Sequence, residues 1–201
     1  MKVLKNISIA IGVVIALFIV IGLFLPSKWE VSKSLAMTAS PERIYHEVAN
    51  LHNWTKWSPW TYEKDKTLQY TYTGPEIGVG AQQNWTSEKM GKGWLKIVKA
   101  DPESGITYEL FIDMNNFQST LNGTMVFEAA GDQTNVIWTD TGDSGNNLLR
   151  RWMSLGMGSM LGAELEKGLA NLKVLVEKEA SNNGNEAKND AAVKTDEAVE
   201  E

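Results

Sequence analysis

Residues 39–60 read ASPERIYHEVANLHNWTKWSPW, and this stretch decides the fold. Ser40 suits a helix N-cap, and it is followed by Pro at the first helical position and by an acid in the first turn. Ile44, Val48 and Leu51 then recur at i, i+4 and i+7 and predict one apolar stripe. The stretch therefore predicts a short amphipathic helix with a precise start.

Three tryptophans follow this helix at a spacing of three residues, Trp54, Trp57 and Trp60. We expect a short helix or turn here that ends before Pro59. The rings are interpreted as core that plugs the open end of a sheet. The alternative is an aromatic gate over a cavity, or a belt that faces a membrane.

Beyond residue 67 the apolar period becomes two. Leu68, Tyr70 and Tyr72 alternate with polar residues. Five later segments alternate in the same way between short turns, at about 81–89, 93–100, 105–114, 119–129 and 133–141. These six runs predict an antiparallel meander rather than βαβ units. A further strand is predicted at about 28–38.

A long helix is predicted at the C-terminal side, over about 146–179. Its apolar face carries Leu161, Leu165, Leu169, Leu172 and Val176. A curved antiparallel sheet cannot bury its inner face alone, and this helix is the element able to cover it. We therefore predict an α+β helix-grip fold, in which a curved antiparallel sheet wraps around the C-terminal helix. The space between sheet and helix is the expected ligand site.

Local motifs resemble the SRPBCC superfamily, which includes START domains, birch-pollen-allergen-like proteins and polyketide cyclases. Residues 39–45 resemble its A-P-x-E-x-V-F helix entry, and residues 51–60 its L-x-x-W-x-x-W-S-P-W segment. Residues 78–85 resemble its G-x-G-A-x-x-x-W hairpin, and residues 167–173 the end of its last helix. The sequence is most similar to bacterial polyketide cyclase/dehydrase-like proteins, some of which carry a membrane anchor. The resemblance implies binding of lipids or other hydrophobic molecules, and it carries over no catalytic residue.

An apolar segment precedes this domain. Residues 6–25 are 20 consecutive uncharged residues, enough for a helix of about 30 Å, and Lys2 and Lys5 come before them. We predict that residues 1–26 form a transmembrane signal anchor with a cytoplasmic N-terminus and an extracytoplasmic, periplasmic domain. A cleaved signal peptide and a buried helix are the alternatives. The segment is long for a signal peptide and lacks an A-x-A site.

Composition indicates where the globular domain ends on its C-terminal side. Residues 181–201 contain 6 acidic and 2 basic residues and no Leu, Ile, Met or aromatic residue. Such a segment buries too little apolar surface to offset its ordering entropy, so it is predicted to be a disordered acidic tail. The globular domain is then expected over residues 27–180.

Composition excludes several functions. A net charge of −6 argues against nucleic acid as a partner. The absence of Cys excludes thiolate metal sites, iron–sulfur clusters and Cys nucleophiles. His46 and His52 are the two histidines and have no metal-binding spacing. Residues 156–158 (Gly-Met-Gly) lack the Lys of a phosphate loop. We expect neither a metal nor a cofactor.

Asp140 is the one candidate for acid–base chemistry. Alternation places it on one face with Val136 and Trp138, whereas Glu109 and Glu128 fall on the opposite, solvent-exposed face of their strands. An Asp near the end of a strand is more often a turn residue. The expected lining of the ligand site is apolar instead: Tyr72, Trp85, Trp138, Trp152, Met153 and Met157.

The sequence therefore predicts a membrane-anchored domain that binds a hydrophobic small molecule or lipid by burial, and it favours binding over catalysis. One alternative is a cyclase- or dehydratase-type enzyme that uses Asp140. Another is a protein-interaction module whose cavity is filled by its own side chains.

Overall fold

The computed structural model describes residues 2–114 and 117–197, with side chains described for residues 3–114 and 117–178. The described residues form five α-helices and one seven-stranded sheet. The helices are α1 (Lys2–Phe24), α2 (Pro41–Ala49), α3 (Trp54–Trp57), α4 (Leu148–Ser154) and α5 (Met157–Glu197). The strands are β1 (Lys28–Met37), β2 (Gln69–Thr73), β3 (Gln82–Ser87), β4 (Gly91–Asp101), β5 (Gly105–Met114), β6 (Phe117–Ala130) and β7 (Gln133–Asp143).

The sheet is the predicted antiparallel meander with one added strand. Its order is β1-β7-β6-β5-β4-β3-β2, so each strand from β2 to β7 pairs with its neighbour in sequence. The first strand joins at the far edge, where Lys28 lies opposite Asp143 and Met37 opposite Thr134. With α5 packed against this sheet, the α+β helix-grip prediction is confirmed.

The helix predicted from residues 39–60 begins where its cap indicates. The Ser40 Oγ accepts a hydrogen bond of 3.3 Å from the backbone N–H of Arg43, and Pro41 occupies the first helical position. The buried face of α2 includes Ile44 and Val48. The short helix α3 follows and contains Trp54 and Trp57.

The prediction of a single C-terminal helix over 146–179 is wrong in one respect. The chain forms α4, then a turn at Leu155 and Gly156, and only then α5. Glycine is a poor helix former, and Gly156 and Gly158 stand together at this break. Past the break, Leu165 and Leu169 lie on the buried face of α5 as expected.

The tryptophan cluster forms the centre of the core. Trp54 and Trp57 are buried, and their rings meet the ring of Trp138 edge-on, with centroids 5.9 and 5.5 Å apart. Their indole N–H groups donate to backbone carbonyls, that of Trp54 to Val48 and that of Trp57 to Glu47. Trp60 is half-buried at 6.2 Å from Trp138. The rings therefore plug the interior, as the favoured interpretation has it.

We expect Gly168→Leu to destabilise the domain strongly. A Cβ at Gly168 would lie 2.6 Å from Cζ3 of Trp138 and 3.1 Å from Cδ of Pro59, so α5 would have to move away from the sheet. Overpacking of this kind costs about 1–3 kcal/mol. Gly158→Leu is the matched control on the same helix, since nothing lies within 4 Å of its added Cβ. Urea unfolding followed by Trp fluorescence measures both, and equal midpoints would contradict the packing.

The acidic tail gives a second prediction. The backbone of α5 continues to Glu197, while residues 198–201 lie outside the described residues. Residues 181–201 offer no large apolar side chain to hold a helix against the domain. We therefore expect their amides to exchange with solvent hydrogen at the rate of unstructured chain, in contrast to residues 165–176. Protection comparable to that stretch would contradict the predicted disorder.

Candidate functional site

The space between the sheet and α5 is filled by side chains. Trp138 and Tyr108 from the sheet meet Leu165 and Leu169 from the helix, and all four are buried. The helix is also tied to α3, because Nδ2 of Asn171 donates a 3.0 Å hydrogen bond to the carbonyl of Trp57. The expected ligand space at this position is therefore occupied by the protein's own core.

A hydrogen-bonded chain of polar groups crosses this core. Trp138 Nε1 donates to the hydroxyl of Tyr108 at 2.8 Å, and that hydroxyl donates to Oδ1 of Asp140 at 2.5 Å. Burial raises the pKa of Asp140 to about 6, and the hydrogen bond from Tyr108 offsets part of that rise. Burial, followed by the nearby charge of Asp140, raises the pKa of Tyr108 well above 10.0, so this hydroxyl keeps its proton.

Asp140 is thus no turn residue. It lies within β7, opposite Val31 of β1 and Gly123 of β6, on the inward face that alternation predicts. Gly123 makes room for the chain, since a Cβ there would fall 2.0 Å from Cζ of Tyr108. Glu109 and Glu128 are exposed, as expected. The buried carboxyl is a component of the core, with the Tyr108 hydroxyl as its hydrogen-bond partner.

Asp140 should make stability depend on pH. Its pKa rises from 3.8 to about 6 on folding, so its stabilising contribution is complete below about pH 3.8 and is lost as the pH rises through about 6. A shift of this size corresponds to about 3 kcal/mol. We expect Asp140→Asn to remove this slope, because the amide stays neutral. Free energies of unfolding in urea at about pH 4, 5, 6 and 7 measure it, and parallel profiles for both proteins would contradict it.

An open cleft lies at the edge of the sheet instead. It has a volume of about 560 Å³ and is formed by the segment between α2 and α3 together with the β2–β3 hairpin. An isolated bridge between Asn50 and Ile77 and a 3.0 Å hydrogen bond from Gly78 N to the Ala49 carbonyl join these two segments. The cleft is lined by Asn50, Leu51, His52, Asn53, Tyr72, Thr73, Gly74, Pro75, Glu76, Ala81 and Gln82.

Aromatic rings form one wall of the cleft. The rings of His52 and Tyr72 stack with centroids 3.7 Å apart and an interplanar angle of 23°. The buried amide of Gln83 fixes both segments, because its Nε2 donates to the hydroxyl of Tyr72 at 3.2 Å and to the carbonyl of Leu51 at 3.3 Å. The wall is therefore held in place without a ligand.

Polar groups form the rim. Oδ1 of Asn50 accepts from the backbone N–H of His52 at 3.0 Å, and Nδ2 of Asn50 donates to Oε1 of Glu76 at 3.3 Å. One carboxylate and one imidazole thus stand beside an apolar floor that includes Leu51 and Ala81. Such a lining suits an amphiphile, since the floor takes up apolar surface and the rim orients a polar group.

The residues predicted from sequence to line the site are dispersed. Tyr72 lies in the cleft, and Trp138 lies in the filled core. Trp85 is half-buried on the sheet, where it covers Gly93 of the next strand. The remaining three belong to the other end of the domain: Trp152 contacts α1, Met153 is exposed, and Met157 is half-buried against the core.

The cleft residues that sequence reasoning missed had only weak local signals. The local signal at His52 is only that of a possible metal ligand, and the Gly74-Pro75 pair is typical of a turn. Neither signal indicates that residues 50–53 and 72–76 meet. Among the described residues, no group of three or more His, Asp or Glu side chains is placed to hold a metal ion.

The cleft and α1 lie at opposite ends of the sheet. The chain leaves α1 where β1 begins, beside the end of β7, since Lys28 pairs with Asp143. The cleft adjoins the end of β2 and the start of β3, where Thr73 pairs with Gln82. These strands are at opposite edges of the sheet, and the register places the two features at opposite strand ends.

The first helix itself is long and apolar. Within Val3–Phe24, an 18-residue window has a mean hydropathy of 3.0, and nearly all side chains of the helix are exposed. The helix meets the length and composition required of a membrane span, which a signal sequence also meets.

Comparison with known families gives one match. The sequence profile of the family described as "Polyketide cyclase / dehydrase and lipid transport" matches residues 28–177. This range contains the whole buried core, from Val31 to Val176. No curated protein matches the chain significantly.

Solved structures share the fold at low sequence identity. The solution structure of the Aha1 dimer from Colwellia psychrerythraea has 18% identity and a TM-score of 0.53, with 74% of this chain and 96% of that chain covered. The hypothetical protein jhp0584 from Helicobacter pylori has 6% identity and a TM-score of 0.56, covering 74% and 88%. DynU16, from the dynemicin biosynthetic locus, has 10% identity and a TM-score of 0.51, covering 74% and 47%. These similarities establish the fold alone.

Proposed function

This chain belongs to the polyketide cyclase / dehydrase and lipid transport family, and from that premise we propose that residues 27–180 form a membrane-anchored domain that binds a small amphiphilic molecule. The ligand is a lipid or another hydrophobic compound with one polar group. It is held in the cleft between the α2–α3 segment and the β2–β3 hairpin, and residues 6–25 anchor the domain in the cell membrane.

The stacked pair of His52 and Tyr72 carries this proposal. It presents an aromatic wall beside the floor of Leu51 and Ala81, so a flat or chain-like apolar group can leave water there. Burial of a group the size of a Phe side chain contributes about 1.5–3 kcal/mol. The carboxylate of Glu76 at the rim favours a ligand whose polar group donates hydrogen bonds.

Orientation follows from the flanking charges. Lys2 and Lys5 precede the span, which favours a cytoplasmic N-terminus and an extracytoplasmic, periplasmic domain. With α1 in the bilayer, the cleft opens at the opposite end of the sheet and faces away from the membrane that holds it. The ligand then reaches the cleft from the aqueous side, or from a carrier or second membrane across that space.

Acid–base catalysis by Asp140 is the second candidate. The pKa of about 6 favours this role, because a group whose pKa lies near neutral pH can both donate and accept a proton. The surroundings disfavour catalysis, because the carboxylate already accepts a hydrogen bond from the Tyr108 hydroxyl. That hydroxyl in turn accepts a hydrogen bond from Trp138 Nε1. A substrate would have to displace core aromatic rings to reach the carboxyl, so we place binding before catalysis.

The binding proposal is tested on residues 27–180, which contain the entire core. We expect the neutral dye N-phenyl-1-naphthylamine to gain fluorescence on binding, and Tyr72→Ala to weaken its affinity about tenfold, as loss of roughly 1.4 kcal/mol implies. Tyr72→Phe keeps the ring and should bind as the wild type does. Tyr62→Ala, at an exposed position outside the cleft, is the matched control. Native mass spectrometry of gently purified protein then identifies any natural ligand.

The outcomes are distinct. Equal dye affinity in Tyr72→Ala and the control would place the dye elsewhere and contradict the cleft as the site. Absence of binding in all proteins, together with an apo mass after incubation with a membrane-lipid extract, would favour a protein-interaction module.

A further inference from the structure

The short helix α4 carries two apolar faces, and one of them is uncovered. Leu148 and Trp152 face α1, where the Trp152 ring stacks on Phe18 with centroids 4.9 Å apart and an interplanar angle of 11°. Leu149 and Met153 lie one residue further around the helix and are 63% and 58% exposed. The described residues thus leave exposed apolar side chains on α4 beside α1, which is uncharged from Asn6 to its end.

The uncovered surface extends past α4. Leu155 in the turn and Met160 at the start of α5 are exposed, Met160 by 74%. The β5–β6 hairpin adds Phe117, whose ring lies 4.6 Å from the guanidinium carbon of Arg150 on α4. We call the exposed set Leu149, Met153, Leu155, Met160 and Phe117 the apolar end surface.

The position of α4 along α1 is fixed by hydrogen bonds. Nη1 of Arg151 donates to the carbonyls of Leu23 and Leu25 at 3.1 and 3.3 Å, and so satisfies acceptors at the C-terminal end of α1. Trp152 Nε1 donates to the carbonyl of Phe18 at 3.2 Å. Gly22 permits this approach, since a Cβ there would lie 2.9 Å from that indole nitrogen.

With α1 spanning a bilayer, these contacts place the Trp152 ring close to the membrane interface. Phe18 lies six residues before the end of α1 at Phe24, which is about 9 Å along a helix axis. Helices that lie in the plane of a membrane bury their apolar face about 5–10 Å into the headgroup region. Tryptophan and arginine are the residues suited to this zone, because each combines an apolar body with a polar end.

We propose that α4 and the turn that follows it lie in the outer interface of the bilayer that α1 spans. The apolar end surface rests on acyl chains, while the guanidinium groups of Arg150 and Arg151 lie at headgroup depth. The bilayer is the occupant that these contacts favour, because the surface is continuous with α1 through Phe18 and Trp152. The inference rests on the proposed anchoring by α1, and it deepens it: the domain is held against the membrane at a fixed tilt.

The chain contains no Cys, so single Cys positions can carry a spin label without background. The full-length protein is reconstituted in vesicles of phosphatidylcholine with a minority of phosphatidylglycerol. Met153→Cys reports on α4, Ile15→Cys on the middle of α1, and Val79→Cys is the matched exposed control near the cleft. We expect labels at 15 and 153 to be more accessible to oxygen than to a water-soluble nickel complex, with 153 the shallower, and the label at 79 to show the reverse.

The other possible results show whether the α4 inference or the proposed anchor fails. A lipid-exposed label at 15 with a water-exposed label at 153 overturns the α4 inference and leaves the anchor intact. A water-exposed label at 15 overturns the anchor and the inference with it. Spin–spin broadening at 153 that disappears on dilution with unlabelled protein shows that a second copy covers the surface, and also overturns the inference.

A second variant separates depth from mere proximity to lipid. Gly22→Leu fills the space that Trp152 enters, so α4 must move away from α1. We expect the label at 153 to lose its preference for oxygen in this background while the label at 15 keeps it. An unchanged preference at 153 would show that contact with α1 does not set its depth, and would overturn the inference.

Discussion

Trp138 lies where the inner face of the sheet, α3 and α5 meet, and the rest of the domain depends on this contact. The rings of Trp54 and Trp57 contact the Trp138 ring edge-on. The helix α5 can approach the same ring closely because Gly168 has no side chain. A curved sheet exposes a large apolar face that another element must cover. In this structure α5 and the tryptophans of α3 cover it together. Buried side chains therefore occupy the interior around Trp138, and the open cleft lies at its margin.

The same close packing explains why polar groups can remain inside. Tyr108 satisfies Asp140, and Trp138 satisfies Tyr108, so the carboxyl keeps hydrogen-bond partners although burial disfavours its charge. The cleft shows the opposite arrangement. Gln83 and Asn50 use their amides to hold its walls, while the ring of Tyr72 and the carboxylate of Glu76 line open space. Polar groups in the core therefore stabilise the fold, whereas the carboxylate of Glu76 at the cleft remains exposed.

Chain direction separates the two ends of the molecule. The first strand begins directly after α1, and the meander returns β7 to that end before α4 docks on α1 through Arg151 and Trp152. The β2–β3 hairpin turns at the other end, against the segment that follows α2. Antiparallel topology thus places the contacts with α1 and the open cleft about a strand length apart.

The sequence by itself determined the elements and their order. Helix caps, strand alternation and apolar helix faces depend on residues close together in the chain. The cap at Ser40, the six strand runs and the apolar face of α5 could therefore be predicted from sequence. The inward face of Asp140 followed from the same alternation. Only the tertiary structure decided where space remains. The cleft joins residues 50–53 to 72–76, and Trp152 packs on Phe18. Both features depend on packing between segments distant in sequence, which no local pattern encodes.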